Sequence, residues 1–439
     1  MSELQTLKAS IDQNPISRLQ VITITICAII NMLDGFNVLV MSFTAASISE
    51  AWGIPRPELG VLLSAGLAGM AHGSLFIAPY GDRIGRRAIT LVCLGVISVG
   101  MIASAYSQNV TQLAALRFLT GLGIGSMIAS LNILVTEYSN ARARSFAVSV
   151  LQSGYPAGAI IGGVISIPLI SNYGWQSAFL FGGFMSLLMI PITLWILPES
   201  LDYLLTKQPG DALRKVNKAL LLMGREPLQA LPELTAEDNR KPSVASLFGD
   251  ASTRNTLALW TAYFMLMFSM YFTFSWTPKL LTEAGLSASQ GISGGLIIQV
   301  GGIIGSLILG VISGYFGLMR LTAIYLFATF TMTVAFATFL QAPLTLLMSV
   351  AFTMGFFLIG SMIGLYAIAP RLYPTFNRTT AMGWAIGVGR IGAIISPLLA
   401  GYLLEAGVEK SDSFIIFAVP LLIAGVAVML FQLQEQASA

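Results

Sequence analysis

A chain of 439 residues that is 55% hydrophobic and only 10% charged is not built as a water-soluble protein, in which about a quarter of the residues carry charge. Its net charge of +3 gives no basis for nucleic-acid binding, its two cysteines sit in apolar runs without metal-ligand spacing, and its single histidine excludes a multi-histidine metal centre. There is also no Gly-x-x-x-x-Gly-Lys-Ser/Thr loop and no paired nucleophile and base, so ATP-driven transport and intramembrane catalysis are disfavoured and no cofactor is expected.

In chain order, residues 1–17 are polar and lack the basic-then-apolar pattern of a cleaved signal peptide, so the first apolar segment reads as an uncleaved span. Apolar segments near the ~20 residues that a bilayer requires recur at 18–48, 58–80, 87–107, 111–138, 145–170 and 175–197. A second set follows at 255–280, 290–316, 320–340, 343–369, 379–405 and 413–433. Residues 198–254 separate the sets and are polar apart from one amphipathic piece at 211–223. The pattern predicts an all-α membrane protein of about twelve transmembrane helices in two six-helix bundles, 1–197 and 255–439, joined by a cytoplasmic linker at 198–254. Basic residues set the orientation: Arg56, Lys279 and Lys410 fall in outer loops, Arg117 and Arg390 fall inside spans, and the others, including Lys8, Arg240 and Lys241, fall on the Met1 side. Both termini are therefore expected in the cytoplasm.

The first span carries an acid in its middle. The run from Met32 to Val38 reads Met-Leu-Asp-Gly-Phe-Asn-Val, and at ~1.5 Å per residue Asp34 lies about 24 Å from both Arg18 and Glu50. An ionisable group at that depth is costly and points to a substrate, ion or proton site. After the second span comes Gly81-Asp82-Arg83-Ile84-Gly85-Arg86-Arg87, in which two glycines permit a tight reversal and three arginines reach the headgroup region. The fourth span holds Arg117 followed by Gly121, Gly123 and Gly125. No strand precedes these glycines, so they read as helix-packing positions and not as a dinucleotide fingerprint. The fifth span carries Gly154-Tyr155-Pro156, with Gly158 and Gly162 forming a small-residue face. In the eleventh span Arg390 lies twelve residues from Arg378, about 18 Å deep, beyond what snorkelling explains. Two deep arginines against one deep acid leave excess positive charge, which suits a carboxylate ligand.

The Gly81–Arg87 loop resembles the Gly-x-x-x-Asp-Arg-x-Gly-Arg-Arg pattern of the major facilitator superfamily, with Ala78 in place of its first glycine. Arg117 with its glycines resembles a second pattern of that family. Within it, Asp34-Gly35-Phe36, the Gly-Tyr-Pro-x-Gly run, the Gly-Arg-Ile-Gly run around Arg390 and Pro198-Glu199-Ser200 resemble the aromatic acid:proton symporters. The resemblance implies a secondary transporter importing an organic, aromatic carboxylate with protons by alternating access. As a monomer in the bilayer of a bacterial inner membrane, it would have a small organic acid and protons as its partners.

Arg117, Arg390, Asn37, Phe36, Tyr155 and Trp384 form the candidate substrate set, Asp34 and His72 the proton-coupling set, and Asp82, Arg83, Gly85, Arg86, Arg87, Glu137 and Arg144 the gating set. One position departs from the pattern: Asn37 stands where those symporters have a second acid, and an amide cannot carry a proton. A dicarboxylate, a sugar or another small polar solute, or a membrane sensor of the same fold, are the alternatives. The seventh span adds Trp260, Phe264, Phe268 and Tyr271, which can share one helical face and line a ring site.

Overall fold

A computed structural model describes residues 13–231, 247–248, 253–373 and 378–431; Lys8, Arg240 and Lys241 of the charge argument lie outside them. Among the described residues, twelve helices are long and apolar enough to cross a membrane. They are α1 (Arg18–Trp52), α2 (Arg56–Ile84), α3 (Arg86–Ala105), α4 (Val110–Glu137), α5 (Arg144–Tyr173) and α6 (Gln176–Ile196), then α7 (Thr253–Glu283), α8 (Ala288–Phe316), α9 (Leu318–Thr338), α10 (Leu344–Ile368), α11 (Arg378–Glu405) and α12 (Lys410–Met429). Helix satisfies every backbone group within one segment, which a bilayer demands of a spanning chain. The ends follow local chemistry. Asn109 starts α4 by accepting from the Gln112 N–H at 2.9 Å, and Ser287 with Gln290 forms a capping box at the start of α8.

Helix α2 is not regular throughout. Beyond His72 it passes through a π turn at Gly73–Ile77, a 3-10 turn at Ala78–Tyr80 and a short helix at Gly81–Ile84. Pro79 explains the break, because its ring removes one backbone donor and crowds the preceding turn. In the 198–254 stretch, Leu201–Lys207 and Ala212–Leu222 are helical. The second of these is the amphipathic piece: Val216 and Leu220 are buried while Arg214 and Lys218 are exposed.

The chain divides into two compact units, one of residues 1–38, 68–162 and 176–239 and the other of 39–67, 163–175 and 240–439. These do not coincide with the chain halves 1–197 and 255–439, because α1, α2 and α5 each give one end to each unit. Within the second unit the reason is visible. Ser42 of α1 donates to the carbonyls of Phe274 and Ser275 at 2.7 and 2.9 Å, Ser64 of α2 donates to the Ile394 carbonyl at 2.8 Å, and Gly60 lies against the backbone of Pro397.

Backbone-to-backbone approach organises the first unit. A side chain at Gly35 would strike the Tyr155 carbonyl, and one at Gly158 would strike the Met32 carbonyl, so α1 and α5 touch main chain to main chain. In the second unit the core is aromatic: Phe272 stacks on Phe417 at 4.0 Å and Phe414 meets Phe336 edge-on at 5.0 Å. Gly158→Val should therefore destabilise the purified protein by ~1–3 kcal/mol or prevent its accumulation. Gly383→Ala, where a new methyl meets open space, should melt with the parent. Equal unfolding temperatures for all three proteins would refute the close α1–α5 contact.

Candidate functional site

In the first unit, Asp34 is 1% exposed and its Oδ2 has no hydrogen-bond partner among the described residues. The next residue, Gly35, is where α1 meets α5, its backbone lying against that of Tyr155. Asn37, one turn on, is fully buried; its Nδ2 donates to Ser186 Oγ at 3.1 Å and its Oδ1 is left unpartnered. Arg117 comes in from α4, and its donors are largely taken by the protein: Nη2 reaches the Asn37 carbonyl at 2.6 Å, Nη1 reaches Met101 Sδ at 2.9 Å, and the guanidinium lies 5.6 Å over the Phe179 ring. No ion pair joins Arg117 to Asp34 among the described residues.

Phe36 is pressed against Gly162 and edge-on to Phe181 at 5.6 Å, where it packs α1 against α5 and α6. Tyr155 gives its backbone carbonyl to the contact with Gly35. His72 is exposed; its Nδ1 lies 2.8 Å from the Ala68 carbonyl and its ring meets Phe118 at 5.4 Å, with no contact to Asp34.

In the second unit, Arg390 of α11 is half-buried, and its Nη1 is buried without a partner among the described residues. Tyr271 of α7 and Tyr366 of α10 lie within electrostatic reach of the guanidinium. Tyr366 meets Tyr263 edge-on at 5.9 Å, and one turn towards the start of α7 Trp260 stacks on Trp384 at 5.8 Å. The face expected from Trp260, Phe264, Phe268 and Tyr271 is thus split. Phe264 stacks on Phe268, and Phe268 stacks on Phe417 of α12 at 5.1 Å, so these two half-buried rings are engaged in packing α7 against α12. Gly392 permits this by letting α11 approach the Phe264 carbonyl closely.

The gating residues gather at one end of the first unit. Arg86 pairs with Asp82, and Arg83 lies 5.5 Å from the Tyr80 ring. The Arg87 guanidinium donates to the Leu194 carbonyl. Gly85 adopts φ +104°, a conformation that favours glycine, and a side chain there would strike the Glu199 carboxylate. Glu199 Oε1 accepts from the N–H of both Arg87 and Ser200 at 2.9 Å, so one carboxylate serves the first turn of α3 and the start of the helix Leu201–Lys207. Tyr138 donates to the Glu199 carbonyl at 2.8 Å, Glu137 accepts from Ser200 Oγ at 2.9 Å, and Arg144 donates to the Thr136 and Ser139 carbonyls at 3.3 Å.

The second unit has a charged cluster of its own. Arg56 bridges Glu283 at 3.1 Å and the Leu404 carbonyl at 2.7 Å, Lys279 reaches Glu283 at 3.4 Å, and Lys410 donates to the Glu283 carbonyl at 2.6 Å.

Residues 24–366 match the family model described as Major Facilitator Superfamily. The chain belongs to this family. It is 34% identical to a gallate transporter of Pseudomonas putida over 96% of this chain and 94% of that one. It is 32% identical to a 4-hydroxybenzoate transporter of Pseudomonas aeruginosa over 99% and 97%. Its fold is that of the E. coli xylose transporter solved in a partially occluded inward-open conformation, with a TM-score of 0.74 and 15% identity over 96% of this chain and 100% of that one. As a member of the Major Facilitator Superfamily with twelve candidate spans, it is an integral, multi-pass membrane protein.

Sequence reasoning did not select Tyr263, Tyr366, Glu199 or Tyr138 as site residues. Pro198-Glu199-Ser200 was visible as a motif, but nothing in its spacing shows that the carboxylate reaches back across more than a hundred residues to the superfamily loop. Glu199→Ala should cost on the order of 1–3 kcal/mol, read as a lower apparent unfolding temperature, because two helix-start N–H groups lose their shared acceptor. Glu199→Gln keeps one carbonyl oxygen and should fall in between. An alanine variant that melts with the parent would exclude the shared-acceptor role.

Proposed function

We propose that this protein imports an aromatic carboxylate by proton symport, through alternating access, in a bacterial inner membrane with both termini in the cytoplasm. The observation that carries the proposal is Arg390: a half-buried guanidinium with an unpartnered Nη1, set among tyrosines. An arginine fork suits a carboxylate, and the surrounding rings suit an aromatic body. The likeness to gallate and 4-hydroxybenzoate transporters supports the same class of substrate.

The two deep arginines then have different roles. Arg390 takes the anion. Arg117, with its donors on Asn37 and Met101, fastens α4 to the middle of α1 and holds the local field positive. Asp34, which has no ion pair among the described residues, is the group that binds and releases the coupled proton, and Asn37 shapes its surroundings without titrating. The protein works as a monomer. The Gly81–Arg87 loop, with Glu137, Arg144 and Glu199, is the cytoplasmic gate, and Arg56 with Glu283 closes the outer end of the second unit.

Uptake of 4-hydroxybenzoate into proteoliposomes under an inward proton gradient tests this reading. Asp34→Asn should lose gradient-driven accumulation while retaining exchange of internal for external substrate. Arg390→Ala should raise the half-saturation concentration by ~30-fold or more, the effect of removing one partner of a desolvated charge pair. Accumulation that ignores the gradient would remove the coupling, and unaltered uptake in Arg390→Ala would remove the anion site.

A further inference from the structure

We propose that Tyr263 reads a hydroxyl group on the substrate's ring, so that this chain selects hydroxylated aromatic acids over the unsubstituted acid; this rests on the carboxylate site at Arg390. Tyr263 has no exposed surface, and its phenolic oxygen has no hydrogen-bond partner among the described residues. A buried hydroxyl left unpaired is costly, and a phenylalanine would fill the same volume without that cost. A polar tip kept there implies a polar partner that the chain itself does not supply.

The surroundings identify the partner. The Tyr263 ring meets that of Tyr366 edge-on at 5.9 Å, and the Tyr263 carbonyl lies against Gly389, the residue before Arg390, so the unpaired phenol and the unpaired guanidinium nitrogen lie in one region of the second unit, where Tyr271 and Tyr366 are within electrostatic reach of the guanidinium. Tyr263 and Tyr271 are two turns apart on α7, about 12 Å along the axis, which separates the acid-binding end of the cluster from the phenol end. A ligand with a carboxylate at one end of a flat ring and a hydroxyl at the other would satisfy both orphans together. Trp260, whose Nε1 is also buried and unpartnered, stacks on Trp384 next to this end. Its indole can only donate, whereas a phenol both donates and accepts, as a ring hydroxyl does; Tyr263 is therefore the better match. A site that pairs with a hydroxyl also disfavours the analogue lacking it, because its own polar atom is then left unsatisfied.

The experiment compares uptake of 4-hydroxybenzoate and benzoate by proteoliposomes holding the full chain. The unmodified protein should show a half-saturation concentration on the order of tenfold lower for 4-hydroxybenzoate, the effect of one net hydrogen bond. In Tyr263→Phe that ratio should fall to near one, through weaker uptake of 4-hydroxybenzoate with benzoate unchanged. Equal use of both acids by the unmodified protein would overturn the hydroxyl assignment while leaving the carboxylate reading intact, and this arm holds even if the variant does not fold. A preserved ratio in Tyr263→Phe, or equal weakening for both acids, would likewise overturn it. Uptake of neither acid by the unmodified protein would overturn the carboxylate reading itself and the hydroxyl assignment with it.

Discussion

The main-chain contact between α1 and α5 is the constraint from which the first unit follows. Two glycines, Gly35 and Gly158, bring the helices so close that each would-be side chain meets a carbonyl of the other helix. In a bilayer, where apolar surface gains little by leaving lipid, such close packing is a main source of cohesion between helices. It also fixes what α1 can present. Phe36 lies against Gly162, and one residue on the Asn37 carbonyl accepts from Arg117.

The two buried arginines show how similar sequence positions acquire different chemistry. Each lies inside its span near glycines, yet Arg117 is 2% exposed with its forked end already engaged, while Nη1 of Arg390 has no partner among the described residues. A guanidinium that the protein already satisfies is a structural tie. A buried charge without a partner is among the most costly features a fold can keep, and the proposed anion site at Arg390 rests on that contrast.

The ends of the units are held by carboxylates that serve several donors at once. Glu199 takes two backbone N–H groups, and Glu283 receives Arg56 and Lys279. Gly85 belongs to the same logic: its positive φ brings the backbone up to Glu199 without a side chain in the way.

Residue order alone determined the helical class, the twelve spans and the special positions of Asp34, Arg117, Arg390 and the Gly81–Arg87 loop, because hydrophobic length and misplaced charge are read one residue at a time. It also carried the resemblance to the superfamily through short local motifs. The tertiary structure decided which of those residues share partners. It tied His72 to the Ala68 carbonyl, gave Arg117 to the Asn37 carbonyl, stacked Phe264 on Phe268 and Phe268 on Phe417 of α12, and set Tyr263 against Tyr366. None of this was legible in the sequence. A spanning helix is apolar on nearly every face, so periodicity cannot say which face meets a neighbour, and only the close approach allowed by individual glycines sets its rotation.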